Sequence, residues 1–145
     1  MPIVVGVDGS AESKEALRWA VEEGRLRVTG VRALVAWEYP PLSAGTDPYL
    51  PGAGNALGLI DPGDLASMAG ARLAEAVAES GATSGEVEEV VVEGHPAKAL
   101  LEAAKDAELL VVGSRGHGGF TGALLGSVSQ ACVSHAPCTV VVVRA

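Results

Sequence analysis

Residues Leu109 to Ser129 read LLVVGSRGHGGFTGALLGSVS. The first four are all apolar, which is typical of a strand that is covered on both faces in a parallel sheet. Six glycines follow within the fourteen residues from Gly113 to Gly126, and a helical pattern begins at Ser127. A buried strand, a glycine loop and a helix start in this order predict an α/β fold with a ligand site at the carboxyl end of the strand.

The rest of the chain repeats this alternation of strands and helices. The other strand-like segments are residues 3–7, 31–37, 87–92 and 139–143, and the Val-Glu-Glu-Val opening of 87–92 indicates an edge strand. Helical patterns span about 12–26, 65–77, 96–104 and 127–135. We predict a single domain over residues 1–145 with a doubly wound, Rossmann-like fold. Its open five-stranded parallel sheet would have strand order 3-2-1-4-5 and helices on both faces.

The composition excludes several classes of partner. The formal net charge is −8, and no cluster of Lys or Arg supplies the basic face that binds nucleic acid or an anionic membrane. Aromatic residues make up only 3% of the chain, too few for a base-stacking platform. No apolar run approaches the roughly 18 residues of a membrane span, and there is no signal-peptide pattern, so we expect a cytoplasmic protein.

Cys132 and Cys138 match no zinc pattern, and we expect them to be small buried residues.

The glycines between 113 and 126 indicate a close approach of backbone to a ligand, because such density is costly in entropy. Successive N–H groups in such a loop can surround an anion. The helix that starts near Ser127 adds free N–H groups and a positive dipole end. Ser127 and Ser129 would add hydroxyl donors, and Arg115 can add charge. The alternative is a flexible glycine-rich surface loop. Neither a Walker A motif nor Gly-x-Gly-x-x-Gly is present, which counts against a standard P-loop ATPase and against a dinucleotide enzyme.

An acidic residue follows the first strand directly, in Asp8-Gly9-Ser10. With strand order 3-2-1-4-5, the winding reverses between strands one and four, and Asp8 would face Gly113 across one crevice. A carboxylate repels phosphate, so we expect Asp8 to meet a ribose hydroxyl or an adenine amine. The alternative is an aspartate that only caps the next helix or holds the turn. Ser10 or Ser13 can cap that helix, with Glu12 in its first turn.

These features together resemble the universal stress protein family. The family's nucleotide motif, Gly-x2-Gly-x9-Gly-Ser/Thr, is matched by Gly113, Gly116, Gly126 and Ser127. The opening Val-Gly-Val-Asp-Gly-Ser at residues 5–10 resembles the family's first strand and turn. Glu-Gly-His-Pro-Ala at residues 93–97 resembles its third strand-to-helix junction. The likeness extends over essentially the whole chain.

The resemblance implies an adenine-nucleotide site with ATP as the ligand. The residues implied near the base and ribose are Val7, Asp8 and Ala36. Those implied to line the ribose and phosphates are Gly113, Arg115 and Gly116. Those implied to hold the phosphates, which could carry Mg²⁺ or Mn²⁺, are Gly126, Ser127, Val128 and Ser129. No catalytic residue and no protein ligand to a metal is assigned.

The resemblance also implies a homodimer through the last strand. That strand would present Val140, Val141, Val142 and Val143, an apolar edge that would otherwise be exposed. The family often has Pro-Val after the nearby cysteine, whereas Thr139 precedes Val140 here. Because proline cannot donate to a sheet ladder, Thr139 could lengthen this edge.

Three functions stay open at this point. The first is a nucleotide-binding regulatory module of the stress response, with ATP, AMP or cyclic AMP as ligand and at most slow ATP hydrolysis. The second is a low-turnover ATPase or nucleotidyl transferase, although no lysine or paired acids accompany the phosphate loop. The third is a binding protein that acts through its dimer surface or through residues 38–62, a segment with five prolines. That segment is expected to be a lid or an unstructured excursion.

Overall fold

Parallel strands alternate with helices along the chain. The computed structural model describes residues 1–39, 61–116 and 125–144. The strands are β1 (Ile3–Gly6), β2 (Val31–Trp37), β3 (Val87–Glu93), β4 (Leu109–Gly113) and β5 (Thr139–Val143). The helices are α1 (Ala11–Arg27), α2 (Pro62–Glu79), α3 (Pro96–Ala103) and α4 (Ser127–His135), and a short 3₁₀ turn, Ala104–Asp106, follows α3.

The strand order in the sheet is β3-β2-β1-β4-β5, as predicted. All neighbouring strands are parallel. Ile3 of β1 lies in register with Val31 of β2 on one side and with Leu109 of β4 on the other. The direction of winding therefore reverses between β1 and β4. The predicted edge strand, β3, lies at one edge, and β5 lies at the other.

Each face of the sheet has its own apolar core. Ile3 and Val5 point to the face that α1 and α2 cover, and they pack there with buried Leu17. Val4, between them in sequence, points to the other face and packs with Leu100 of α3. This alternation is the two-residue period of a strand that is buried on both sides. The helices therefore cover both faces, as predicted.

The observed boundaries differ slightly from those predicted. The first strand ends at Gly6 rather than at residue 7, although the Val7 amide still donates to the Leu34 carbonyl at 2.9 Å. Pro62, placed in the excursion, instead opens α2 after the N-cap Asp61, whose carboxylate accepts from the Gly63 amide at 2.9 Å. The remaining part of that excursion, residues 40–60, lies outside the described residues.

Candidate functional site

A cleft of about 250 Å³ opens at the carboxyl ends of β1 and β4, where the strand order reverses. Open α/β sheets bind their ligands at such points. The volume is slightly below the range for small-molecule sites, roughly 300–1,000 Å³. Every residue predicted for the site lines this cleft: Val7, Asp8, Ala36, Gly113, Arg115, Gly116, Gly126, Ser127, Val128 and Ser129. The contacts assigned to them with a nucleotide stay predictions.

Hydrogen bonds shape the turn between β1 and α1. Asp8 Oδ1 accepts from the Ser10 amide at 2.8 Å, and Ser10 Oγ caps α1 by accepting from the Ser13 amide at 3.2 Å. Ser13 Oγ accepts from the Asp8 amide at 3.2 Å. Gly9 has φ +86°, a conformation that favours glycine. Asp8 therefore holds the turn, and it also lines the cleft.

Neighbouring protein groups lie close to two glycines of the loop motif. A Cβ on Gly113 would lie 3.0 Å from the main-chain carbonyl carbon of Glu12 and 3.1 Å from the Ser13 nitrogen. A Cβ on Gly116 would lie only 2.3 Å from Asp8 Oδ2. The start of α1 therefore packs directly on Gly113, and the Asp8 carboxylate lies against Gly116. At these two positions the protein itself approaches the backbone closely, and the predicted approach of a ligand stays a prediction.

Gly126 allows the start of α4 to pack against the end of the β4 segment. Its amide donates to the Ser114 carbonyl at 2.7 Å. A Cβ on Gly126 would lie 3.3 Å from Arg115 Cα and 3.5 Å from the Gly116 nitrogen. Its φ of −73° and ψ of 167° are open to any residue. Space, rather than backbone conformation, therefore selects glycine at this position.

The first turn of α4 supplies main-chain donors at the cleft. Its N-cap is Gly126, and no side chain among the described residues caps the helix. The amides of Ser127, Val128 and Ser129 have no intrahelical acceptor, and they lie at the positive end of the helix dipole.

The Ser129 hydroxyl does not have the role that the sequence predicted for it. It donates to the Ser114 carbonyl at 2.8 Å, and Ser129 is buried. The hydroxyl therefore braces the loop inside the protein rather than serving as a donor to a ligand.

The Glu12 carboxylate binds the glycine loop, a contact that the sequence analysis missed. Glu12 Oε2 accepts from Ser114 Oγ and from the Arg115 amide, each at 2.5 Å, and Oε1 lies 3.7 Å from Arg115 Nε. The Ser114 hydrogen bond is the main cause of a lowered pKa for Glu12, and the Arg115 amide adds to it against the effect of burial. Such a carboxylate stabilises the fold above its unfolded pKa, and the contribution is lost as the pH falls through the lower folded value.

Part of the cleft lining is apolar and was not predicted. It comprises Leu34, Pro96, Leu100 and Val112. Leu34 could have been found from the sequence, because it lies two residues before Ala36 in β2 and so faces the same side of the sheet. Leu100 could not, because its place depends on how α3 packs. Its side chain lies over Gly6, where a Cβ would be 2.9 Å from Leu100 Cδ1.

The histidines have separate positions. His95 is the N-cap of α3, and its Nδ1 accepts from the Ala97 amide at 3.2 Å. It thereby helps to fix the start of the helix that brings Pro96 to the cleft. His135 is the last residue of α4, at the opposite end from the cleft-lining turn. His117 lies outside the described residues.

In the three described ranges, no helix is long and apolar enough to cross a membrane.

The sheet topology and the position of the cleft define an open α/β fold with a cleft at a reversal of strand order. The model of the universal stress protein family matches residues 1–144. The chain belongs to the universal stress protein family.

Relatives of known name or structure agree with this assignment. Universal stress protein Rv2623 of Mycobacterium tuberculosis is 37% identical over 145 residues, which are 99% of this chain but 45% of that protein. The chain therefore spans about half the length of this curated relative. A solved universal stress protein in complex with cAMP is 27% identical, with a TM-score of 0.63 over 99% of this chain and 95% of that one. The universal stress protein from Archaeoglobus fulgidus in complex with dAMP is 26% identical, with a TM-score of 0.63 over 99% and 97% of the two chains.

Proposed function

We propose that residues 1–145 form one universal stress protein domain that binds an adenine nucleotide, with ATP as its ligand, and acts as a regulatory module in the stress response. Any chemistry is limited to slow ATP hydrolysis. One observation carries the proposal: a single cleft joins an apolar lining, the Asp8 carboxylate and the start of α4, which no side chain in the described ranges caps.

The start of α4 suits the phosphates. Each hydrogen bond from an amide of Ser127, Val128 or Ser129 to a charged oxygen is worth about 1.5–3 kcal/mol. Three of them approach the roughly 8 kcal/mol of a micromolar complex, before the cost of immobilising the ligand. These donors are local, so a net charge of −8 does not prevent the binding of a polyanion.

The apolar lining suits the base. Leu34, Ala36 and Leu100 offer apolar contacts, and small-molecule sites are typically apolar with a few placed polar groups. Asp8 is one such group, and its carboxylate accepts hydrogen bonds of the kind that an adenine amine or a ribose hydroxyl donates. Arg115 would add positive charge near the ribose and phosphates, where it also pairs with Glu12.

The solved complexes with cAMP and dAMP support an adenine nucleotide as the ligand class. They also favour a second candidate, a domain that prefers AMP or cyclic AMP.

Mg²⁺ or Mn²⁺ would be held by the phosphates of ATP. In the described ranges no group of three or more His, Cys, Asp or Glu lies together to hold such an ion without them.

The proposal extends to a homodimer and to a cytoplasmic location. The edge strand β5 leaves Val140, Val141, Val142 and Val143 half-buried, so a second copy could cover this edge. A molecular mass in solution of twice the chain mass, measured by sedimentation equilibrium, would support the dimer.

The proposed cytoplasmic location agrees with the state of the cysteines. Cys132 and Cys138 are free thiols, which suits a reducing compartment.

Calorimetric titration of nucleotide-free protein with ATP, AMP, cyclic AMP and adenosine tests the proposed function. We expect ATP to bind with micromolar affinity and adenosine to bind more weakly, because adenosine lacks the phosphates that the α4 amides would hold. Tighter binding of AMP or cyclic AMP than of ATP would favour the second candidate. Failure of all four to bind folded protein would contradict the proposal.

A further inference from the structure

Ser114 is buried and connects three elements, of which α1 and α4 contribute residues to the cleft lining. Its amide donates to the carbonyl of Val143 in β5 at 2.8 Å. Its carbonyl accepts from the Gly126 amide at 2.7 Å and from the Ser129 hydroxyl at 2.8 Å, both at the start of α4. Its hydroxyl donates to Glu12 in the first turn of α1. The position of Ser114 therefore determines where the main-chain donors of α4 lie.

Glu12 holds this connection from outside the cleft lining. Its carboxylate binds Ser114 and the next amide, Arg115, and the Glu12 side chain is only 15% exposed. Glu12 is not among the described residues that line the cleft. The charged groups that act on its carboxylate are Arg115 and Arg144, both of which favour its ionised form. Its negative charge is thus balanced by protein cations.

We propose that Glu12 is a positioning residue of the nucleotide site: its carboxylate holds Ser114 and Arg115, and through the Ser114 carbonyl it keeps the start of α4 in place for phosphate. This inference rests on the proposed function for the ligand, but the positioning of α4 belongs to the protein itself and can be measured without ligand.

The geometry provides a conservative variant. Both hydrogen bonds end on one oxygen, Oε2, so the amide oxygen of glutamine can accept both. Glu12→Gln therefore removes the charge and keeps the connection, whereas Glu12→Ala removes both. Each variant loses the same favourable charge at the start of α1, so this effect cancels in their comparison. Glu15→Ala, on the exposed side of the same helix, is a matched control.

Calorimetry is the first test. We expect Glu12→Ala to weaken ATP binding about tenfold, the effect of losing hydrogen bonds that involve a charged group. Its affinity for adenosine should stay unchanged, and Glu12→Gln and Glu15→Ala should bind ATP like the starting protein. An equal loss for ATP and adenosine would indicate general structural damage and overturn the proposal. Tighter ATP binding by both Glu12 variants would show instead that the Glu12 charge repels the phosphates, and this result would also overturn the proposal.

Hydrogen exchange in the ligand-free protein is the second test, and it separates this inference from the proposed function. We expect Glu12→Ala to speed exchange of the Gly126 amide, whose acceptor is the Ser114 carbonyl, while Glu12→Gln leaves it slow. Unchanged Gly126 exchange in Glu12→Ala would overturn the positioning role even if ATP binds. Faster exchange in a protein that binds no nucleotide would support the positioning and refute only the proposed ligand.

Discussion

Replacing Gly126 by valine is expected to weaken ATP binding at least about 100-fold, the loss of two charge-assisted hydrogen bonds, while the domain stays folded. The backbone at Gly126 is extended, so valine meets no conformational penalty there. Its Cβ, however, would lie 3.3 Å from Arg115 Cα, and two further methyl groups would extend from it. The start of α4 must therefore move away from the Ser114–Gly116 backbone, which takes the phosphate donors out of position.

Gly30→Val is the matched control for this variant. A Cβ on Gly30 would meet no atom within 4 Å, and Gly30 precedes β2 at the opposite end of the sheet. Isothermal calorimetry measures the affinity of both variants, and far-UV circular dichroism verifies their fold. A folded Gly126→Val protein with the affinity of Gly30→Val would exclude the start of α4 as the phosphate site.

Leu17→Ala should lower the free energy of unfolding by about 2–5 kcal/mol, the usual cost of truncating a fully buried leucine. Leu17 has no exposed surface and anchors α1 on the sheet. The same helix carries Glu12 and Ser13 at its start, so its packing also orients the β1–α1 side of the cleft. Urea unfolding in the absence of nucleotide measures the effect.

Leu26→Ala is the control for helix propensity, because it makes the same exchange in the same helix. Leu26 is 79% exposed, so the expected change in unfolding free energy is within about 0.5 kcal/mol. A loss for Leu26→Ala as large as that for Leu17→Ala would mean that α1 presents a different face to the sheet.

The sequence predicted the fold well because the sheet is buried on both faces. Runs such as Leu109 to Val112 have no polar position, and such runs favour parallel strands covered by helices. The glycine spacing and the aspartate after the first strand then indicated which end of the sheet carries the site. The cleft contains both, together with the other residues predicted.

The contacts between distant segments could not be predicted in the same way. Glu12 and Ser114 are 102 residues apart in sequence, and their hydrogen bond depends on how α1 docks beside β4. From the sequence alone, the helix dipole already explains an acidic residue in the first turn of a helix, so nothing pointed to the contact of Glu12 with Ser114. The direction of the Ser129 hydroxyl likewise depends on the Ser114 carbonyl.

The glycine motif shows a further limit of sequence interpretation. Glycine density indicates that something approaches the backbone closely, but it does not identify the approaching group. At Gly113 that group is the start of α1, and at Gly116 it is the Asp8 carboxylate. A motif that is associated with ligand binding is therefore also, at these two positions, a packing motif of the domain.

A crystal structure of the protein with ATP measures directly where the phosphates lie. We expect them within hydrogen-bonding distance of the Ser127, Val128 and Ser129 amides, with the base near Leu34 and Leu100 and the Asp8 carboxylate beside the base or ribose. Phosphates bound elsewhere, or an empty cleft at saturating ATP, would contradict the assignment of the α4 start as the phosphate site.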